Sequence, residues 1–114
     1  MKEEKETADE DSLCRSIKDG MPDDDMLIDL AELFKVFGDS TRIKILFALM
    51  EHEVAVTALA EIVQMSPSAV SHQLRVLKTS GLVKFRRDGK SLLYSLSDSH
   101  VTSILNQGMD HIGE

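Results

Sequence analysis

The fold of this chain is decided by one stretch, which reads Ser66-Pro67-Ser68-Ala69-Val70-Ser71-His72-Gln73-Leu74-Arg75-Val76-Leu77-Lys78. Its apolar residues Val70, Leu74 and Leu77 recur at a spacing that places them on one face of an α-helix. Proline suits the first position of a helix, and the Ser-Gly pair at positions 80 and 81 suits its end. The stretch therefore predicts a helix from about residue 67 to residue 79 with one buried face.

The opposite face of this predicted helix is polar and carries no acidic residue. A glutamine such as Gln73 can form two hydrogen bonds with adenine, and a basic side chain such as that of Arg75 can bind guanine. The N-terminus of a helix favours a phosphate. A solvated surface helix is the alternative interpretation, and we consider it weaker because the polar face falls on this particular helix. The candidate DNA-binding residues on the helix are Ser66, Ser68, Ser71, His72, Gln73, Arg75 and Lys78.

The segments around this helix complete a recognisable motif. A short helix, which we expect Thr57 to cap, precedes it. Two alternating segments, residues 82–86 and 92–96, follow it and are joined by Arg87-Asp88-Gly89-Lys90, in which Asp-Gly is a strong hairpin signal. Together these elements predict a winged helix-turn-helix, a mainly α fold with a β-hairpin wing. Basic residues of the hairpin could reach flanking phosphates or the minor groove, and these candidates are Arg86, Arg87 and Lys90.

Two further helices are predicted before this motif. The first begins at Asp23-Asp24-Asp25, whose negative charges suit a helix N-terminus, and it stops at Gly38. Asp39 or Ser40 caps the second. The apolar stripe of the first helix comprises Leu27, Leu30, Ala31, Phe34 and Phe37. The apolar side of the second comprises Ile43, Leu46, Phe47, Leu49 and Met50.

The charge of the chain is unevenly distributed. The 114 residues carry a net charge of −7, which by itself would disfavour nucleic acid. Residues 1–32, however, hold twelve acidic and four basic residues, whereas residues 66–94 hold six basic residues and one acidic residue. We therefore divide the chain into an acidic N-terminal tail, residues 1–22, predicted to be disordered at least to about residue 11, and a DNA-binding and dimerisation domain, residues 23–114.

Composition also restricts where the protein acts. The N-terminus has no apolar signal core and no apolar run is long enough to span a membrane, so we expect a cytoplasmic protein without a membrane partner. The single cysteine, Cys14, excludes an intrachain disulfide and any Cys-x-x-Cys site.

The last predicted helix, which starts near residue 98, carries candidate metal ligands at both of its ends. His100 and His111 are eleven residues apart, about 16 Å along the axis, whereas zinc binds its ligands at about 2 Å. One helix therefore cannot hold all the ligands on one ion, but two helices packed antiparallel in a two-fold dimer can form two symmetric four-ligand sites. Alternatives that the sequence leaves open are an Asp98 that serves only as an N-cap and histidines that are only surface residues. The candidate ligands are Asp98, His100, His111 and Glu114, a set that suits tetrahedral Zn(II).

Three segments resemble the ArsR/SmtB family of metal-sensing transcriptional repressors. They are the segment from Gly38 to Leu46, the recognition helix from Ser66 to Lys78, and the wing from Gly81 to Tyr94. The resemblance covers roughly residues 25–114. It implies a cytoplasmic homodimer, joined through its terminal helices, that represses a promoter until an inducer binds.

The resemblance also narrows the choice of metal. One class of this family uses its last helix, with Asp-x-His near the start and His-x-x-His or His-x-x-Glu near the end, and Asp98, His100, His111 and Glu114 match that pattern. Relatives with these ligands sense Zn(II), and some respond to Co(II) or Ni(II). Another class binds cadmium, lead or arsenic through a Cys-Val-Cys pattern, where this chain has Ala55-Val56-Thr57. The resemblance therefore disfavours a soft-metal sensor.

These observations lead to one functional hypothesis and two alternatives. The metal-free dimer would bind operator DNA, and Zn(II) bound between the C-terminal helices would weaken that binding and release genes for metal efflux or sequestration. The alternatives are a winged-helix repressor that responds to a non-metal signal, and a dimer in which zinc is purely structural. We do not expect an enzyme, because the sequence has no Gly-rich phosphate loop and a closed four-ligand site leaves no position for a substrate.

Overall fold

The computed structural model describes the backbone of residues 2–114 and the side chains of residues 9–114. The chain forms two compact units, residues 1–32 and residues 33–114, and helix α2 belongs in part to each. The helices are α1 Lys2–Gly20, α2 Asp24–Phe37, α3 Ser40–Ala48, α4 Val56–Val63, α5 Pro67–Thr79 and α6 Ser99–Ile112. The strands are β1 Val54–Ala55, β2 Val83–Asp88 and β3 Ser91–Leu96.

The first unit is helical where the sequence analysis expected a tail. Helix α1 runs without a break from Lys2 to Gly20, although we predicted disorder to about residue 11. Its composition explains the helix, since lysine and glutamate are good helix formers, and the described residues 9–20 are all exposed. Local propensity rather than burial therefore supports α1, and the division of the chain between residues 22 and 23 stays a prediction.

The caps of the following helices agree with the sequence analysis except at α4. The Asp23 carboxylate accepts a hydrogen bond from the Met26 backbone N–H (3.0 Å) at the start of α2. Asp39 caps α3 by accepting from the Arg42 backbone N–H (3.1 Å). Helix α4 has Ala55 at its cap position without a side-chain hydrogen bond, so the expectation that Thr57 caps it was wrong. Val54 and Ala55 pair with β3 up to the first residue of α4, which places Thr57 inside the helix instead of before it.

The second unit is held together by one apolar core that surrounds the buried face of α5. Val70, Leu74 and Leu77 are fully buried, as their spacing predicted. Ile45, which the sequence analysis did not assign to the core, is also fully buried. The remaining buried residues are Phe37, Leu46, Leu49, Leu59, Ala60, Val63, Leu82, Val83, Tyr94, Val101 and Leu105.

A three-stranded antiparallel sheet in the order β1-β3-β2 carries the wing. Asp88 pairs with Ser91, so only Gly89 and Lys90 form the turn and Arg87 lies within β2. Gly89 has a φ of 61°, a conformation that a two-residue hairpin turn requires and that glycine adopts without strain. The hairpin is therefore longer and its turn tighter than the sequence analysis predicted.

None of the helices in the part of the chain from residue 2 onward is long and apolar enough to cross a membrane.

Substitution of Leu74 tests whether α5 is anchored by its buried face. Because Leu74 is fully buried, Leu74→Ala leaves a cavity and should lower the free energy of unfolding by about 2–5 kcal/mol. Urea denaturation followed by circular dichroism measures the change. Arg75→Ala, at the neighbouring exposed position, is the matched control and should change stability by less than about 0.5 kcal/mol. Equal effects of the two substitutions would show that this face does not anchor the helix.

Candidate DNA interface and metal centre

The N-terminus of α5 presents its polar groups outward. The Ser66 hydroxyl caps the helix by accepting from the Ala69 backbone N–H (3.1 Å), and it lies 3.3 Å from the Ser68 hydroxyl. Pro67 occupies the first turn, where its lack of a backbone N–H costs the helix no hydrogen bond. The backbone N–H groups of the first turn that have no partner within the helix give this end a partial positive charge that suits a phosphate. The exposed candidates on α5 are Ser66, Ser68, Ser71, His72, Arg75 and Lys78.

Gln73 is the exception on this helix, because it is half-buried and already hydrogen-bonded. Its side-chain Oε1 accepts from the Nε–H of Arg42 at 3.0 Å. Arg42 also donates through Nη1 to the Val36 carbonyl oxygen at 3.1 Å. The guanidinium therefore joins α5 to the end of α2.

Lys78 is exposed but lies against the wing. Its Nζ is 4.1 Å from the centre of the Phe85 ring, which is within the range of a cation–π interaction. Phe85 in turn packs against Tyr94 of β3 with its ring tilted by 36° and 5.5 Å between the ring centres. This contact joins the C-terminal end of α5 to the first strand of the hairpin.

Arg86 is paired to an acid that the sequence analysis did not single out. Its Nε and Nη2 donate to the two carboxylate oxygens of Glu53 at 2.8 and 2.7 Å, a bidentate geometry. The hydrogen bond from Arg86 lowers the pKa of Glu53, so this carboxylate stays ionised. Both side chains are solvent-accessible, with 58% of Arg86 and 36% of Glu53 exposed, and an exposed pair of this kind is weak enough to exchange partners. Arg87 and Lys90 are exposed on the hairpin.

The structure thus brings the ten predicted DNA-binding residues onto two neighbouring elements, α5 and the wing. Three of them have partners outside their own helix or strand that the sequence did not reveal: Arg42 for Gln73, Phe85 for Lys78 and Glu53 for Arg86. The partners of Gln73 and Arg86 are 31 and 33 residues away in sequence. No local periodicity or spacing rule could have identified contacts of that range.

The N-terminal end of α6 brings Asp98 and His100 together. Asp98 Oδ1 accepts from the His100 backbone N–H at 2.8 Å and lies 2.9 Å from His100 Nδ1. The backbone N–H and then the imidazole of His100 hold the pKa of Asp98 below its usual value, so it stays a carboxylate at lower pH than an ordinary aspartate. Asp98 is thus the N-cap of α6, and its Oδ2 takes no part in the cap.

The C-terminal end of α6 brings His111 and Glu114 together. His111 Nδ1 lies 4.0 Å from Glu114 Oε2, and both side chains are highly exposed. Within residues 9–114 no group of three or more histidine, cysteine, aspartate or glutamate side chains is close enough to hold a metal ion. The part of the chain whose side chains are described therefore offers two separate pairs of candidate ligands and no complete site.

The chemistry and spacing of each pair fit half of a zinc site. Two ligand atoms on a tetrahedral zinc ion lie roughly 3.3 Å apart when each is about 2.0–2.1 Å from the metal. The separations within the two pairs, 2.9 Å and 4.0 Å, bracket that value. Small side-chain rotations would therefore allow each pair to supply two ligands.

An apolar face adjoins the C-terminal pair. It is a groove of about 760 Å³ between the end of α2, α3 and α6. Phe34, Met109 and Ile112 expose 55%, 51% and 76% of their surface. Large apolar side chains gathered in one exposed patch are typical of a protein interface. The residues of this apolar face are Phe34, Phe37, Ile43, Phe47, Ser103, Ile104, Leu105, Gln107, Gly108, Met109, His111 and Ile112.

The fold and these surfaces define a winged helix-turn-helix DNA-binding protein. A solved relative is the homodimeric winged helix-turn-helix DNA-binding domain from Mycobacterium bovis, with 29% sequence identity and a TM-score of 0.74. The match covers 83% of this chain and 90% of that one. This finding confirms the fold class predicted from the sequence.

Sequence comparison gives the family. The family described as "Bacterial regulatory protein, arsR family" matches residues 39–84. The cadmium resistance transcriptional regulatory protein CadC homolog of Staphylococcus aureus is 39% identical over 103 residues, which are 90% of this chain and 84% of that protein. The transcriptional repressor SmtB homolog of Synechocystis is 42% identical over 85 residues, which are 75% of this chain but 64% of that protein, a little under two thirds. The chain belongs to the ArsR/SmtB family of metal-sensing transcriptional repressors, and these relatives are transcriptional regulators rather than enzymes.

Removal of the Glu53 carboxylate should strengthen DNA binding. Glu53→Gln frees Arg86 to bind a phosphate, so we expect affinity for duplex DNA to rise roughly fivefold at physiological salt and the salt dependence, the slope of log K against log[salt], to steepen by about one. Fluorescence anisotropy over a range of salt concentrations measures both.

The matched control is Glu51→Gln, which removes the same charge two residues away from an exposed side chain. It should leave the slope unchanged. If both variants gain affinity equally, the cause is net charge and not the release of Arg86.

Proposed function

We propose that this protein is a dimeric, cytoplasmic transcriptional repressor that binds operator DNA without metal and releases it when Zn(II) binds between its C-terminal helices. The observation that carries the proposal is the separation of the ligands into one pair at each end of α6. The released genes would encode metal efflux or sequestration. The Staphylococcus aureus relative is a cadmium resistance regulator, which supports a role in metal resistance.

Dimerisation would use the apolar face. A second copy related by a two-fold axis would cover the exposed Phe34, Met109 and Ile112 and would place the two α6 helices antiparallel. Asp98 and His100 of one protomer would then meet His111 and Glu114 of its partner. The same symmetry would set the two α5 helices one half-site apart on a palindromic operator, about 34–36 Å.

The ligand chemistry favours Zn(II) over other metals. Two imidazoles and two carboxylates suit a tetrahedral zinc ion, whereas cadmium and other soft ions prefer thiolates and Mg²⁺ or Ca²⁺ requires more oxygen ligands. Co(II) and Ni(II) accept the same nitrogen and oxygen donors and are the alternatives. Zinc would supply a link between the two chains and no reactive chemistry. Asp98, His100, His111 and Glu114 would hold it.

A short backbone path leads from the ligands to the DNA-reading helix. Ser97, which precedes the cap residue Asp98, donates its N–H to the Leu82 carbonyl at 3.0 Å. Leu82 donates its own N–H to the carbonyl of Leu77, in the last turn of α5, also at 3.0 Å. A change in the position or mobility of Asp98 would therefore act on the C-terminal end of α5 through two hydrogen bonds.

The proposal predicts reciprocal coupling between zinc and DNA. We expect Zn(II) to weaken operator binding by about 5- to 150-fold, the usual range of allosteric coupling, and a chelator to restore it. Fluorescence anisotropy of the protein on its own promoter DNA measures both steps. His100→Ala should bind the operator as tightly as the natural protein but lose the response to zinc.

The control for this experiment is Asp110→Ala, which removes an exposed carboxylate from the same helix without touching the ligand set. It should keep the full response to zinc. Tight DNA binding by the natural protein that ignores zinc would contradict the proposal, and so would a His100→Ala variant that no longer binds DNA.

A further inference from the structure

Arg42 occupies a junction of three helices. It lies in the first turn of α3, where the Asp39 carboxylate accepts its backbone N–H. Its guanidinium donates to the Val36 carbonyl of α2 at 3.1 Å and to Gln73 Oε1 of α5 at 3.0 Å. Only 22% of its side chain is exposed. The guanidinium is therefore a fixed, part-buried bridge, and the hydrogen bonds that it makes are stronger than those between neutral groups.

The contact with Arg42 fixes the orientation of the Gln73 amide. A guanidinium has donors and no acceptor, so the group that faces Arg42 must be the carbonyl oxygen of Gln73. A glutamine that reads adenine presents its oxygen and its nitrogen together to the base edge. The oxygen of Gln73 is turned toward the interior instead, and its residue is half-buried. This arrangement suits a glutamine that positions its helix better than one that reads a base.

Arg42 and its hydrogen-bond partner Val36 are each followed in sequence by a residue of the apolar face. Phe37 follows Val36 in α2 and Ile43 follows Arg42 in α3, and both side chains line that face. Arg42 thus ties α5 to the two helices whose neighbouring side chains would contact a second copy of the chain.

We infer that Arg42 is a positioning residue that acts through Gln73 to fix the direction of α5 relative to α2 and α3, and that Gln73 does not read a base. The inference rests on the proposed binding of a dimer to two operator half-sites. In such a dimer the direction of each α5 determines the distance between the two recognition helices, so Arg42 sets the half-site spacing that the protein accepts.

The test uses Arg42→Lys, Gln73→Met and the double variant on three sets of DNA. The first is the natural operator, the second contains operators with one base pair added or removed between the half-sites, and the third contains single-base substitutions within one half-site. Lysine keeps the charge of Arg42 but cannot reach both acceptors in the same geometry, and methionine keeps the size of Gln73 without its carbonyl.

We expect each single variant to bind the natural operator about tenfold more weakly, as for the loss of a hydrogen bond to a charged group. The double variant should bind no more weakly than Arg42→Lys alone, because the hydrogen bond between Arg42 and Gln73 is the interaction that both substitutions remove. Discrimination between spacings should decrease, while base preference at every position stays unchanged. General destabilisation would not produce this pattern, because it would weaken binding to all spacings equally.

The matched control is Arg75→Met, an exposed residue of the same helix. It should weaken binding and keep the discrimination between spacings. A Gln73→Met variant that changes preference at one base pair, or Arg42→Lys and Gln73→Met losses that simply add, would overturn the inference. Natural protein that shows no preference for spacing would instead contradict the proposed dimeric binding mode.

A second measurement needs no DNA, so it tests the role of Arg42 even if the natural protein shows no preference for half-site spacing. Hydrogen exchange of the Arg42 Nε–H, followed by nuclear magnetic resonance, should be slow in the natural protein and fast in Gln73→Met. The backbone amides of α5 should exchange faster in Arg42→Lys, while those of α4 do not change. Fast exchange of the Arg42 Nε–H in the natural protein would overturn the inference.

Discussion

Burial of one face of α5 determines which side of this helix faces solvent. Val70, Leu74 and Leu77 are completely withdrawn from water, so the helix has only one face that can remain outside. That face carries hydroxyl, imidazole and guanidinium groups and no acid. The wing and α3 also contact α5. The Phe85 ring of the wing lies against the ammonium group of Lys78, and Arg42 of α3 donates a hydrogen bond to Gln73. Apolar packing therefore exposes the polar face of α5, and the polar contacts join the helix to its neighbours.

The length of α6 limits how its candidate ligands could share a metal ion, because the helix is much longer than a metal–ligand bond. The two pairs of candidate ligands are about 16 Å apart along the helix, whereas zinc binds its ligands at about 2 Å. If these pairs bind zinc, a single chain cannot complete a site, so the proposed metal binding and the exposed apolar face would both involve a second copy. Asp98 contributes twice, as the cap that starts α6 and as a carboxylate kept ionised by His100. In the proposed mechanism this residue would connect the start of α6, the metal site and the hydrogen bonds through Leu82 to α5.

Much of the fold could be predicted from the sequence because its signals are local. The spacing of Val70, Leu74 and Leu77, the Asp-Gly pair of the hairpin and the Asp98 cap each depend on residues a few positions apart. The prediction failed for the Thr57 cap, because pairing of β1 with β3 determines where α4 begins. It also missed the contact of Arg42 with Gln73 and that of Glu53 with Arg86, since these join residues more than thirty positions apart and only the folded chain brings them together.

Mixed dimers test whether each metal site takes its ligands from two chains. One chain carries Asp98→Ala and His100→Ala, the other carries His111→Ala and Glu114→Ala, and different affinity tags allow the heterodimer to be isolated. Neither parent homodimer should bind zinc with high affinity, whereas the heterodimer retains one complete set of ligands and should bind a single ion, measured by competition with a chelating dye. A heterodimer that binds no zinc, or a parent homodimer that binds it as well as the natural protein does, would contradict the account.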